Sequence, residues 1–256
     1  MVLNDNKKEL VMQHVEQLQT TFPELQLKKQ EDDRFIVAGN LSFSVSHNGK
    51  VIRDDYDIEI FIPGDYPQNP PTVKEIGNKI PQDKDNHINS KDETLCLGAP
   101  LDVKRTFAQK RNLSWFVKEQ VVRFLFSYSY KQKYGVMPFG ELAHGTEGLL
   151  EYYKELFSVQ DNWHVLGLLK ILADDNYKGH TPCPCNSGRR LRDCHGNFLR
   201  EIRKYQKPDN FLEEHLKIFN FLDVGEDSKN TRAYLPKKVL KEIKKRRKIK
   251  PKRQKR

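Results

Sequence analysis

The stretch Leu41-Ser42-Phe43-Ser44-Val45-Ser46-His47-Asn48-Gly49-Lys50, continuing to Tyr56-Asp57-Ile58-Glu59-Ile60-Phe61-Ile62, decides the fold. Leu41, Phe43 and Val45 alternate with serines, and Tyr56, Ile58, Ile60 and Ile62 alternate with Asp57, Glu59 and Phe61. A period of two sends successive side chains to opposite faces, as in a half-buried strand. Asn48-Gly49 between the runs is a strong hairpin signal, because both residue types tolerate the positive φ that a tight two-residue turn needs. The two runs therefore form an antiparallel hairpin.

Outward from this hairpin the pattern changes. Upstream, Leu10, Val11, His14, Val15 and Leu18 recur at helical spacing within 6–20, and Pro23 lies beyond the helix end because it disfavours helical geometry in Phe22. Downstream, Tyr66-Pro67-Gln68-Asn69-Pro70-Pro71 makes a rigid extended turn before a short strand at 72–76. Residues 79–96 show no period and are rich in Asp, Asn and Lys, a loop long enough to suggest a function. Leu113, Val117, Val121, Phe124 and Tyr128 mark a helix after it; Leu149, Leu150, Tyr153, Leu156 and Phe157 mark another, with Thr146 as its cap. Asp161 caps a further helix holding Val165, Leu168, Leu169 and Leu172. The class is α+β.

The four cysteines divide into one alone, Cys96, and three within twelve residues, Cys183, Cys185 and Cys194. A secreted disulfide scaffold spreads an even set through a short chain, so this distribution indicates a reducing, cytoplasmic setting with one metal cluster and one free thiol. Cys183-Pro184-Cys185, eight residues, then Cys194-His195 offers three thiolates and an imidazole, a set zinc takes tetrahedrally in closed structural sites. Asn186-Ser187-Gly188 supplies the turn between them. The segment resembles the SEC-C motif.

A second resemblance rests on the order helix, meander, Tyr66-Pro67-x-x-x-Pro71, His87-Ile88-Asn89 and Cys96-Leu97-Gly98. Over residues 1–160 this is similar to the ubiquitin-conjugating (E2, UBC) fold, specifically the bacterial E2-like families, and more loosely to their inert RWD relatives. It departs from eukaryotic E2s in having His-Ile-Asn for His-Pro-Asn and in lacking the tryptophan that follows their cysteine. The resemblance implies that Cys96 accepts a ubiquitin-like protein as a thioester and passes it to an amine. It also implies an E1-like adenylating partner. Asn89 would stabilise the oxyanion, His87 would brace the loop, and His144, in Gly140-Glu141-Leu142-Ala143-His144-Gly145, would approach as a base. The alternatives are a non-enzymatic RWD-like adaptor using the zinc module and the basic tail to dock on protein or nucleic-acid partners, and, more remotely, a cysteine hydrolase pairing Cys96 with His144.

Charge is distributed unevenly. Residues 237–256 hold thirteen Lys or Arg against Glu242, a net +12, which leaves −2 for residues 1–236 out of the total +10. An anionic partner such as RNA, DNA or a ribosome would meet the tail. No run of about 18 apolar residues is present, so no membrane span is expected. The expected organisation is an E2-like domain at 1–160, a helical linker at 161–178, a zinc module with helices at 179–225 and a disordered basic tail at 226–256.

Overall fold

The computed structural model describes residues 5–31, 34–83, 86–89, 91–139, 145–222 and 232–249. The chain is α+β and divides into two compact units, 1–144 and 145–256.

The first unit opens with α1 (Asp5–Thr21), whose Val11, Val15 and Leu18 are buried on one stripe. Four antiparallel strands follow in the order β1 (Gln26–Glu31), β2 (Arg34–His47), β3 (Lys50–Ile62) and β4 (Thr72–Glu75). The β2–β3 register runs unbroken from Phe35↔Ile62 to His47↔Lys50. It closes on Asn48 (φ 48°) and Gly49 (φ 74°), the turn expected from sequence. Tyr56, Ile58, Ile60 and Ile62 face the core in alternation. Strand β1 had no clear sequence period, and its pairing slips between Leu27 and Lys29. Gly39 permits this crowded edge, since a Cβ there would stand 2.0 Å from the Glu24 carbonyl oxygen.

The Tyr66-Pro67 turn is held from below. Tyr66 is buried, and its hydroxyl lies 2.5 Å from Nδ1 of His14 on α1. Beyond β4, the buried Glu75 carboxylate accepts hydrogen bonds from the backbone N–H groups of Gly77, Lys79 and Ile80, which turns the chain into the long loop. Helix α2 (Pro100–Ala108) comes next, then α3 (Leu113–Phe116), a π-helical stretch (Val117–Val121) and α4 (Val122–Tyr134). The π stretch advances the helix face by one residue, so Leu125, Phe126 and Tyr130 are buried. Phe124 and Tyr128, the core positions expected from a simple period, are only partly buried against the core cluster. Gln120 lies in this stretch with both side-chain amide atoms buried and unpartnered.

The second unit is helical. It contains α5 (Gly145–Phe157), α6 (Asn162–Ala173), α7 (Gly196–Ile202), α8 (Pro208–Phe221) and α9 (Lys237–Ile249). Asp161 caps α6 as expected, its Oδ1 accepting from the N–H groups of Trp163 (2.8 Å) and His164 (3.1 Å). Thr146 falls inside α5 instead of capping it.

The boundaries differ from the expected ones in three places, the first being the end of the first unit, at residue 144 and not 160. Residues 161–178, expected as a helical linker, hold a central helix instead: Val165 to Leu169 of α6 are all buried, with α8 as its main partner. Residues 237–249, expected to lack order, are helical and follow a buried anchor, Leu235.

Candidate functional site

Thirty-eight residues separate His195 from the carbonyl it contacts, and that contact shows how the cysteine cluster is built. Backbone bonds from Cys183 N–H to Arg189 O (2.9 Å) and Leu191 N–H to Thr181 O (2.8 Å) fold 181–191 into a small hairpin-like turn. Asn186 (φ 58°) and Gly188 (φ 73°) take the left-handed conformations at its tip. A 3-10 turn at Leu191–Asp193 then returns Cys194 and His195 to the paired cysteines.

The four ligand atoms lie within 4.8 Å of one another. Cys185 Sγ is 3.4 Å from Cys183 Sγ and 3.5 Å from Cys194 Sγ; His195 Nδ1 is 3.2 Å from Cys183 Sγ and 3.3 Å from Cys194 Sγ. A tetrahedron with metal bonds of about 2.0 to 2.3 Å has edges of roughly 3.5 to 3.8 Å, so a small inward or outward adjustment accommodates an ion. All four cysteines of the chain are free, so no disulfide competes for these thiols.

The surroundings fit a metal as well. Nε2 of His195 lies 2.8 Å from the Phe157 carbonyl, which fixes the ring with Nδ1 towards the thiols. Arg189 donates to Cys194 Sγ at 3.3 Å, and the Ser187 hydroxyl lies 3.3 Å from Cys185 Sγ. Burial pushes the Cys183 thiol up to about 12, whereas hydrogen bonding from Ser187 and the neighbouring thiols outweighs burial at Cys185 and lowers it. The turn also docks on α6: a Cβ on Gly167 would stand 2.7 Å from Pro184 Cβ.

A family model described as SEC-C motif matches residues 181–197. The match spans all four ligands and both left-handed tip residues. No curated protein and no solved structure matches the chain. Arg189, Ser187 and the Phe157 carbonyl were not singled out from sequence. Arg189 and Ser187 lie inside the motif and were within reach, but the Phe157 carbonyl depends on tertiary packing.

The second candidate site is in the first unit. Ile88 and Leu95 form an isolated antiparallel bridge and are each 5% exposed. Cys96 N–H donates to the His87 carbonyl (2.8 Å), Asn89 N–H to the Thr94 carbonyl (2.9 Å), and Leu95 N–H to the Val73 carbonyl of β4 (2.8 Å). The loop is thus hung on the sheet, with the apolar rung inward. Asn89 is exposed and Cys96 half-buried.

Burial raises the Cys96 thiol, opposed only by the Gly98 backbone. The Asn89 amide donates to Thr94 Oγ1 at 2.9 Å, and the His87 ring packs edge-on to Phe124 with centroids 6.4 Å apart. The His87 backbone sits at φ 56°. Cys96 and Asn89 are two rungs apart on this short ladder, on the order of 7 Å along the strand. His144 lies outside the described residues. No helix among the described residues is long and apolar enough to cross a membrane.

Proposed function

We propose that the protein is an acyl carrier of the E2-like type, holding a ubiquitin-like protein as a thioester on Cys96 and passing it to an amine. The observation that carries this reading is the loop geometry. A single thiol ends a loop anchored to β4, with the apolar Ile88/Leu95 rung buried and Asn89 exposed. The loop follows a helix and a four-stranded meander, in the order the resemblance implies.

The raised thiol suits a carrier. In its protonated form it is a slow target for stray electrophiles, and once acylated a high-pKa thiolate is a poor leaving group, so the thioester outlasts unproductive encounters. In transfer, the acceptor nitrogen attacks the carbonyl carbon, the carbon–sulfur bond breaks, and Cys96 departs with the electron pair to be reprotonated. The proton lost by nitrogen goes to solvent or to a nearby base, the role reserved for His144. Asn89 can donate to the oxyanion once its amide leaves Thr94 Oγ1. An E1-like enzyme supplies the activated acyl group.

The cluster Cys183, Cys185, Cys194 and His195 is proposed to hold structural zinc. Four protein ligands close the coordination sphere, so the ion would cross-link the turn to α5 and α7 and leave no site for a reacting water. Three thiolates and a neutral imidazole leave a divalent site one charge negative. Arg189 offsets that charge.

A second reading, the RWD-like adaptor, is favoured by one contact: the Asn89 amide is committed to Thr94, as in a loop that needs only to hold its shape. The two readings separate in one experiment. The full chain is incubated with its cognate activating enzyme, ATP and modifier. A carrier gives a reductant-sensitive conjugate that maps to Cys96 and disappears in Cys96→Ala. A conjugate that persists in Cys96→Ala, or none at all while the activating enzyme is charged, rejects the carrier.

A further inference from the structure

The basic end of the chain is a mounted helix, and its mounting indicates what it meets. Helix α9 contains eight Lys or Arg and one acid, Glu242, within 237–249. Its root is built into the second unit. Leu235 is 2% exposed, the rings of Tyr234 and Trp163 pack with centroids 4.7 Å apart, and the Lys237 N–H donates to Asp174 Oδ1 at 2.7 Å. Lys170 Nζ donates to the Ala233 carbonyl, and Lys238 pairs with Asp209 at 2.8 Å.

Burial sorts the helix into two faces. Val239, Leu240 and Ile243 are half-buried, whereas Lys241, Lys244 and Lys245 are exposed and form no ion pair among the described residues. Lys237, Lys241 and Lys244 follow helical spacing of four and three, which places them on one stripe. A flexible cationic tail would carry the same charge without such a stripe or such a root.

We infer that α9 is a docking element for double-stranded DNA, its lysine stripe lying against the phosphates that border the major groove. Three physical features favour this occupant. The groove of B-form DNA is about 12 Å wide, which admits a helix of about 10 to 12 Å diameter. A-form RNA presents a deep, narrow groove that excludes one. The chain outside 237–256 is nearly neutral, at −2, so a polyanion meets its attraction at this helix and little repulsion elsewhere. The exposed lysines of 237–245 contact phosphates and fix position, so the interaction they carry is independent of sequence.

The test is fluorescence anisotropy of the full chain against a 30-base-pair DNA duplex across a salt series. Each phosphate-bound lysine contributes about −0.9 to the slope of log K against log salt, so Lys241→Gln/Lys244→Gln/Lys245→Gln should flatten the slope by about 2.7. At low salt it should weaken binding at least ~10-fold. The three side chains are exposed, so melting of the second unit should not move.

Leu240→Pro separates the helix from its charge. It leaves every lysine in place but breaks α9 after its root, and binding should fall several-fold. An unchanged slope in the triple variant would overturn the proposal. So would undiminished binding by Leu240→Pro, or equal affinity for an RNA duplex of the same length.

Discussion

The loop that ends in Cys96 and the turn that carries Cys183 and Cys185 use the same backbone device. Each is closed by one isolated antiparallel bridge, Ile88↔Leu95 in the first unit and Pro182↔Arg190 in the second. Each bends through a non-glycine residue of positive φ, His87 at 56° and Asn186 at 58°. What converges on the thiols differs. Around Cys96 the hydrogen-bonding partners are main-chain groups of its own loop, and burial alone raises the thiol. In the cysteine cluster Cys183 Sγ has three other candidate ligand atoms around it, a guanidinium donates to Cys194 Sγ and a serine hydroxyl lies against Cys185 Sγ. The comparison shows that a short bridged loop positions a thiol in both units, and that the two differ in the side chains gathered around it.

The largest expected effect breaks the second arrangement and spares the first. Structural zinc contributes on the order of 10 kcal/mol or more to small metal-held folds, so Cys185→Ser or chelation should remove the ion and expose 181–202 to hydrogen exchange. Protection of β2 and β3 should persist. Loss of protection in both units at once would show that they do not fold separately.

A smaller effect comes from acid. His215 on α8 is fully buried, and burial pushes its pKa down to about 4, with the Tyr234 backbone opposing and Lys170 reinforcing the shift. Below the usual value of about 6.5 the unfolded chain takes up a proton that the folded chain refuses. The second unit should therefore lose stability as pH falls from about 6.5 towards 4, by on the order of 3 kcal/mol in the limit. His215→Leu should flatten that dependence in denaturant melts. An equally steep acid loss in the variant would show that His215 is not its source.

The smallest effect sharpens the comparison inside the first unit. Gln120 leaves both amide atoms buried and unpartnered in the π stretch, so Gln120→Leu should raise stability by about 1 kcal/mol if its place is purely structural. A stability gain accompanied by lost transfer from Cys96 would mark the residue as functional.

How much of this was legible in the sequence follows from how local each determinant is. The hairpin was readable because Asn48-Gly49 and the alternation from Leu41 to Ile62 specify turn and face together. The Cys183, Cys185, Cys194 and His195 cluster was readable because spacing and residue type bring these side chains together within one short segment. The π stretch was not, since Val117 and Val121 fit an ordinary helical period and only packing reveals the extra residue. The helical linker expected at 161–178 holds five consecutive residues without a polar side chain, Val165 to Leu169, a run that fits a central helix better than a linker. The root of α9 escaped because Tyr234 and Trp163 are far apart in sequence and meet only in the fold. The commitment of the Asn89 amide to Thr94, five residues away, depends on the bridge at Ile88.

The most direct test of the central contrast is sequential isotope-coded alkylation of the native, then the denatured, protein, with metal content measured on the same sample. The expected result is about one zinc per chain, the native-state label on Cys96 alone with a rate that keeps rising above the pH of an ordinary thiol, and the second label on Cys183, Cys185 and Cys194. Native-state labelling of the three clustered cysteines, with Cys96 protected until denaturation, would contradict it.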